Sequence, residues 1–363
     1  MLFFIYDIIK SMRKAIIITG PTGGHFFPGL AIGERLKDKF EIKFFVPKRE
    51  YIVKHLEKRN FTFRFIPTAR ITKKNFIFST FKIFYLIIFS IILFLKEKPR
   101  IIIGTGSYVC VPFIIGGRIL CKKIIIHEQN YIPGKTTKIL SPFVNFILLT
   151  FPYKNKLPSK KCIITGFPLI SEYRENYRKE KIREIYGLEN IKTILILGGS
   201  QGASFINRLI INNLSYFKKK GFQLVHIAGK EKDFVEKKFF ENNIKGKVYD
   251  FFYEMNKLYS AVDYVICRAG AGTLVEIVEK EIPAFLIPYP YAGGHQVRNA
   301  EYLSKVGCAF FAEEKYIETG NFVDLFEKFL QESYKLKENL KKIKLSDNGK
   351  IEEIIFTLFK EIT

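Results

Sequence analysis

Short apolar runs alternate with helix-length amphipathic segments along the whole chain, and this alternation most limits the folds open to it. The runs 16–19, 41–46, 61–66, 100–104, 123–127, 144–149 and 162–165 read as strands, with helices expected at 29–39, 49–59 and 108–120. A second series opens at 193–198 and continues at 222–228, 247–252, 263–267, 284–288 and 308–312. Its helices are expected at 203–217, 230–241, 271–280 and 295–305. Apolar strands alternating with helices mark parallel sheets covered on both faces, because each crossover must carry the chain back to the start of the next strand. The expected class is therefore α/β: two doubly wound domains with a cleft between them. The 363 residues fit two domains of roughly 150 each. The join falls around 168–188, a charged stretch with Pro and Gly near its ends, and no short-period repeat is visible.

Composition excludes several other classes. With 48% hydrophobic and 26% charged residues, the chain is neither disordered, nor collagenous, nor a small disulfide scaffold. Lys and Arg number 59 against 35 Asp and Glu, a formal charge of +24. Such a balance favours anionic partners: nucleic acid, acidic lipid headgroups or phosphorylated small molecules. Abundant Lys, Ile, Phe and Asn with no Trp also fit plain AT-rich coding, so the charge alone selects none of them. Cys110, Cys121, Cys162, Cys267 and Cys308 are odd in number, widely spaced and mostly set in apolar runs, as core thiols in a reducing compartment would be. Without a CxxC pair, and with scattered histidines, no metal site is expected. Residues 1–11 read as an N-terminal extension. They lack a basic leader and a cleavage site, and Met12-Arg13-Lys14 would make a natural start before the first strand.

Residues 76–95 hold sixteen apolar residues in twenty, enough as a helix to just cross a bilayer. Strand-like runs with glycine loops lie on both sides, and a span would split them across the membrane. Lysines and an arginine flank both ends, so there is no positive-inside asymmetry. The expectation is a helix lying on an anionic membrane surface, with Lys73, Lys74, Phe76, Lys82 and Phe84 meeting it. The alternative is a core helix against the first sheet.

In open α/β sheets, ligands bind beyond the carboxyl ends of the strands, where glycine loops lead into helix N-termini. The first such loop is Gly20-Pro21-Thr22-Gly23-Gly24-His25, in which His25 is placed to act as a base. It lacks the endings of a P-loop or a dinucleotide fingerprint, and taken alone it fits a tight turn equally well. Gly104-Thr105-Gly106-Ser107 is the second. His127-Glu128-Gln129-Asn130 is the third, with His127 and Glu128 read as buried braces and Asn130 as a ligand contact. In the second half, Gly198-Gly199-Ser200-Gln201-Gly202-Ala203 follows a strand, and Ser200 and the loop amides suit a phosphate or sugar hydroxyl. The run from Arg268 leads into a helix near Ala271, with Thr273 and Glu276 in its first turns. Such a helix start suits a diphosphate, and Glu276 is placed to accept ribose hydroxyls, although a carboxylate there also simply favours the helix dipole. Gly293-Gly294-His295-Gln296 opens a last helix. Both halves aim glycine loops at one cleft without a P-loop lysine or an aspartate cluster, which favours a nucleoside diphosphate compound bound without a cation.

The ordered motifs TGGH, GTGSYV, HEQN with a following PG, GGSQGA, RAGAGT with Glu276, and HQ with a following NA resemble the MurG family from about Met12 to the C-terminus. The resemblance implies a glycosyltransferase-B fold of two Rossmann-like domains. It implies transfer of N-acetylglucosamine from UDP-GlcNAc to the 4-hydroxyl of the MurNAc on undecaprenyl-linked lipid I, giving lipid II for peptidoglycan synthesis, cell shape and division. It implies peripheral attachment to the cytoplasmic face of the inner membrane, with no cofactor and no nucleic-acid partner. The expected division is 1–11 extension, 12–167 acceptor and membrane domain, 168–349 donor domain, and 350–363 a helix packing back on the first. Donor contacts implied by the family fall on Thr22, Gly23, Gly24, Asn130, Ser200, Phe252 (through its backbone to uracil), Ala271, Gly272, Thr273, Leu274, Val275, Glu276 (ribose) and Gln296 (sugar hydroxyls), with His25 the base.

The chain departs from the family at four places. Pro21 stands where Gly is usual, and Gly272 where a larger apolar residue is common. Gly294 takes an acidic position. Gly166-Phe167-Pro168-Leu169-Ile170 replaces a GNPVR turn, losing its Asn and its donor-contacting Arg. These changes bear on donor affinity more than on reaction type. A dehydrogenase would need a GxGxxG loop with an acidic residue ~20 positions on, which neither half supplies. A diacylglycerol glycosyltransferase would not need the full HEQN and GGSQGA set, and a non-catalytic binding subunit would not need His25, Glu276 and Gln296 together.

Overall fold

The structure, a computed structural model, describes residues 14–68, 76–152, 157–198, 204–319 and 321–360. Lys73, Lys74, Ser200 and the 1–11 extension lie outside these. The chain divides into two compact units, Met1–Ser171 with Ser346–Thr363, and Glu172–Leu345.

The first unit holds β1 (Lys14–Ile18), β2 (Glu41–Val46), β3 (Thr62–Phe65), β4 (Ile101–Gly104), β5 (Lys123–Glu128), β6 (Phe146–Leu149) and β7 (Cys162–Ile164). All pair in parallel in the order β3-β2-β1-β4-β5-β6-β7. The isoleucine runs of β1, β4 and β5 are buried, as strands covered on both faces must be. In the second unit, β8 (Thr193–Leu197), β9 (Gln223–Ile227), β10 (Gly246–Tyr249), β11 (Tyr264–Cys267), β12 (Ala284–Leu286) and β13 (Phe310–Phe311) form the parallel sheet β10-β9-β8-β11-β12-β13. In both sheets the chain winds one way to an edge, returns, and winds the other way. The reversal falls between β1 and β4 and between β8 and β11, where a crevice opens beyond the strand ends.

Several boundaries differ from the sequence reading. The first helix begins at Gly23 rather than 29 and runs to Leu36, with Pro28 inside it. Pro28 is the sixth residue of this helix, past the first turn, so it withholds one bond to the Gly24 carbonyl and the helix runs on through that gap. This extension draws Gly23, Gly24 and His25 into the first turn. The segment read as one helix over 203–217 is two, Ser204–Asn212 and Leu214–Lys219, with Asn213 donating its amide to the Leu209 carbonyl at 2.8 Å. The strand expected to reach 252 ends at Tyr249, leaving Phe252 in the following loop. Helices Lys179–Ile185, Met255–Ala261 and Phe322–Leu340 were not anticipated. Asn321 caps the last by accepting from the Val323 N–H, and Phe326 and Phe329 bury fully against the sheet, each worth roughly 1.5–3 kcal/mol of burial.

The apolar segment forms helix Phe76–Glu97, the crossover from β3 to β4. Leu86, Ser90, Leu93, Phe94 and Glu97 make its buried stripe, and the Ser90 hydroxyl donates to the Pro112 carbonyl of helix Cys110–Ile119 at 3.1 Å. Glu97 ends the stripe by accepting from Lys14 and Lys43. The opposite face carries Phe81, Phe84, Tyr85, Ile88, Ile92 and Leu95, all exposed, with Lys82 among them. A fully buried core helix is thereby overturned. By length and composition the segment would suit a membrane span. In this fold it is a docked crossover joining two strands of one sheet. Helix Lys350–Lys360 belongs to the first unit, where Phe356 packs 5.6 Å from Phe40 and Arg35 bonds the buried Asp347.

Candidate functional site

In the first unit, the loops after β1, β4 and β5 interlock. A Cβ on Gly20 would sit 2.6 Å from the Ser107 side chain, so glycine is required for the first two loops to meet. Thr22 flanks the helix in an extended conformation, and its carbonyl accepts from the His25 and Phe26 amides. Gly23 and Gly24 thus present backbone at a helix N-terminus, where N–H groups lack intrahelical partners. His25 Nδ1 lies 2.7 Å from the Thr105 carbonyl. A carbonyl only accepts, so Nδ1 carries the proton and Nε2 carries the lone pair, the tautomer a general base needs.

His127, Glu128 and Gln129 are buried. Gln129 donates to the carbonyls of Thr105 (3.1 Å) and His127 (2.9 Å), and His127 Nε2 donates to the Gly166 carbonyl at 3.2 Å. Burial pushes the His127 pKa down to about 4, so it stays neutral and serves as a brace. Glu128 accepts from the Asn130 backbone (3.0 Å), the Asn130 side chain (3.2 Å), the Gly134 amide (2.9 Å) and the Thr137 hydroxyl. It thereby fixes Asn130 with its amide nitrogen turned inward.

In the second unit, β11 feeds helix Ala271–Glu279 through Gly270, whose carbonyl first accepts from the Leu274 amide. Ala271, Leu274 and Val275 are buried, while Gly272, Thr273 and Glu276 are partly exposed. The loop before this helix is braced on both sides. Arg268 donates to the Ile287 carbonyl at 3.0 Å and pairs with Glu314, and Asn299 donates to the Ala269 carbonyl at 3.2 Å. Glu276 accepts from the Tyr259 hydroxyl at 3.0 Å, and the Tyr173 phenol lies beside the same carboxylate. Burial raises the Glu276 pKa, and the two phenols work against that rise by favouring the charged form.

Gly293 and Gly294 both have positive φ (78° and 71°), a left-handed turn into helix His295–Lys305. The left-handed conformation at 294 suits Gly, Asn or Asp. Gln296 Oε1 accepts from the Tyr289 amide at 3.0 Å, which leaves its –NH₂ as the group offered to a ligand. The Phe252 ring packs on Tyr249 (4.9 Å) and Tyr186 (5.2 Å), anchoring the loop backbone beyond β10.

Each unit thus gathers its expected residues at its own switch point. In the first these are Thr22, Gly23, Gly24, His25 and Asn130. In the second they are Ala271 to Glu276, with Gln296 and the Phe252 loop at neighbouring strand ends. Sequence reading missed Tyr173, Tyr259 and Tyr289, and it placed Gln129 in the HEQN run without giving it a partner. Tyr173 and Tyr259 go unmarked because each acts on a residue of another element, and Gln129 because the Thr105 carbonyl it bonds lies 24 positions away. Among the described residues no group of three or more His, Cys, Asp or Glu could hold a metal ion.

Two doubly wound sheets, each presenting a helix N-terminus at its switch point, define the glycosyltransferase-B fold. Over 96% of the chain the fold matches a crystal structure of Acinetobacter baumannii MurG, covering 99% of that chain with a TM-score of 0.73 at 22% identity. Residues 15–149 match the glycosyltransferase family 28 N-terminal domain, and 193–354 the family's C-terminal domain. The chain belongs to glycosyltransferase family 28. A relative from Aquifex aeolicus is 34% identical over 332 residues, 89% of this chain and 94% of its own length. A relative from Prochlorococcus marinus (strain MIT 9215) is 32% identical over 333 residues, 91% of this chain and 89% of its own. Both bear the name UDP-N-acetylglucosamine–N-acetylmuramyl-(pentapeptide) pyrophosphoryl-undecaprenol N-acetylglucosamine transferase.

Proposed function

We propose that the protein is the UDP-GlcNAc-dependent N-acetylglucosaminyltransferase of peptidoglycan synthesis, acting on lipid I to give lipid II. The observation that carries this reading is helix Ala271–Glu279, with an open N-terminus suited to a diphosphate and Glu276 a turn further on for the ribose. The donor unit is Glu172–Leu345, and the acceptor and membrane unit holds the first sheet. Gln296 donates its amide to the sugar hydroxyls, and the Phe252 loop backbone meets uracil. Ser200 and Asn130 complete the donor contacts.

The reaction is an inverting displacement. His25 Nε2 takes the proton from the 4-hydroxyl of the acceptor MurNAc, and that oxygen attacks the anomeric carbon from the face opposite the diphosphate. The bond to UDP breaks, and the charge on the leaving diphosphate is met by the backbone N–H groups at 271–273 in place of a metal ion. The apolar face of helix Phe76–Glu97, with Lys82 and the preceding lysines, rests on the cytoplasmic leaflet and brings the site to a lipid-borne acceptor. Purified protein given lipid I and labelled UDP-GlcNAc should produce lipid II with a β-linkage. Labelled product on diacylglycerol and none on lipid I would overturn the acceptor assignment.

A further inference from the structure

Glu276 is gripped from two directions by groups no motif marks. Tyr259 comes from helix Met255–Ala261 and Tyr173 from the short 3-10 turn Ser171–Arg174, more than eighty residues earlier. Both rings are buried, 2% and 8% exposed, with centroids 6.4 Å apart. Their environment leaves them one polar job: a buried phenol needs a hydrogen-bond partner, and the Tyr259 O–H donates to Glu276 Oε2 at 3.0 Å. The Tyr173 phenol lies beside the same carboxylate. It lies three residues after Ile170, in the segment where this chain has lost the family's donor-contacting arginine.

We propose that Tyr173 and Tyr259 are positioning residues that clasp the Glu276 carboxylate in the ionised, oriented state that receives the ribose hydroxyls of the donor. An ionised carboxylate offers about four acceptor positions on its two oxygens. The Tyr259 phenol fills one of them, with the Tyr173 phenol beside it, and the others remain on the partly exposed side of the residue for the two vicinal hydroxyls. Without the clasp, a glutamate has three rotatable bonds to order on each binding event, and it loses the phenols that favour its charged form. The clasp is a device for donor affinity, so it acts on donor KM and leaves turnover at saturating donor alone.

The inference rests on Glu276 contacting the ribose, and its test separates the two. Calorimetry with UDP and with 2′,3′-dideoxy-UDP is run on the parent, Glu276→Ala, Tyr259→Phe and Tyr173→Phe. Glu276→Ala should bind both ligands equally. If it still discriminates between them, the ribose reading fails, and the clasp with it. Tyr259→Phe should weaken UDP about tenfold, the worth of a hydrogen bond to a charged group, and leave dideoxy-UDP unchanged. Its donor KM should rise with kcat held, and Tyr173→Phe should follow in the same direction. Equal losses for both ligands in the two Phe variants, or no loss for either, would overturn the clasp while leaving Glu276 in place. Should Tyr259→Phe fold poorly, Tyr173→Phe carries the same comparison from a different element.

Discussion

The two sheets make the same return journey, from β3 to β4 in one unit and from β10 to β11 in the other, with very different helices. In the first unit that crossover is the 22-residue helix Phe76–Glu97, docked by one stripe and apolar on its exposed face. In the second it is the seven-residue helix Met255–Ala261, which sends Tyr259 to Glu276. Equivalent connections in one fold are therefore free to diverge, because the sheet fixes only where a crossover begins and ends. The strand ends differ in the same way. The first unit buries its polar groups in a network closed around Thr105, His127 and Glu128, which holds His25 in one tautomer. The second keeps Glu276 and Gln296 partly exposed, each with one side satisfied by the protein and the other turned outward. On the proposed reading, one unit serves an acid–base step beside a lipid surface, and the other reads a soluble nucleotide sugar.

Substitutions that strike one unit should leave the other's task intact. The largest effect falls on His25. His25→Ala should lower turnover about 10²–10⁴-fold while UDP affinity by calorimetry barely changes. Turnover near the parent's would make His25 a loop brace and place the base elsewhere. Next comes the membrane face. Replacing Lys73, Lys74 and Lys82 with Gln should weaken binding to anionic vesicles by up to ~1 kcal/mol per residue, with donor affinity untouched. Co-sedimentation at rising salt measures this, and equal binding by mutant and parent would sink the electrostatic part. Glu276→Ala should cost about 1.5–3 kcal/mol in UDP affinity and nothing in vesicle binding.

A smaller effect sharpens the division within the donor unit. Gln296→Ala should weaken UDP-GlcNAc by about 1 kcal/mol and leave UDP nearly unchanged. Equal losses for the two ligands would refute its sugar-reading role. Chelation is expected to do least. Activity in excess EDTA should match the untreated enzyme's, and rescue by added Mg²⁺ after a loss would assign the diphosphate charge to a metal.

The strands were legible because their signal is local. Ile16 to Ile18, Ile101 to Ile103 and Ile124 to Ile126 are runs that only a strand covered on both faces can bury. The glycine loops were legible for a related reason, since turn chemistry is written in adjacent residues. Helix ends were less so. The helix start at Gly23 hid behind Pro28, and the break at Asn213 lay in an otherwise continuous apolar pattern. The face that helix Phe76–Glu97 leaves exposed was also hidden, because nearly all its residues are apolar and only contact with helix Cys110–Ile119 distinguishes one stripe from the other.

By itself, then, the sequence determined the class of fold, the glycine loops with their candidate residues, and the family. Each follows from periodicity and short motifs that act over a few neighbouring residues. Tertiary structure alone decided what state those residues are held in. The His25 tautomer depends on a carbonyl 80 positions away, and Gln296 is oriented by a main-chain amide across a turn. The Glu276 carboxylate answers to phenols from two other elements. A hydrogen bond across the fold depends on where packing brings two groups, and no spacing along the chain encodes that.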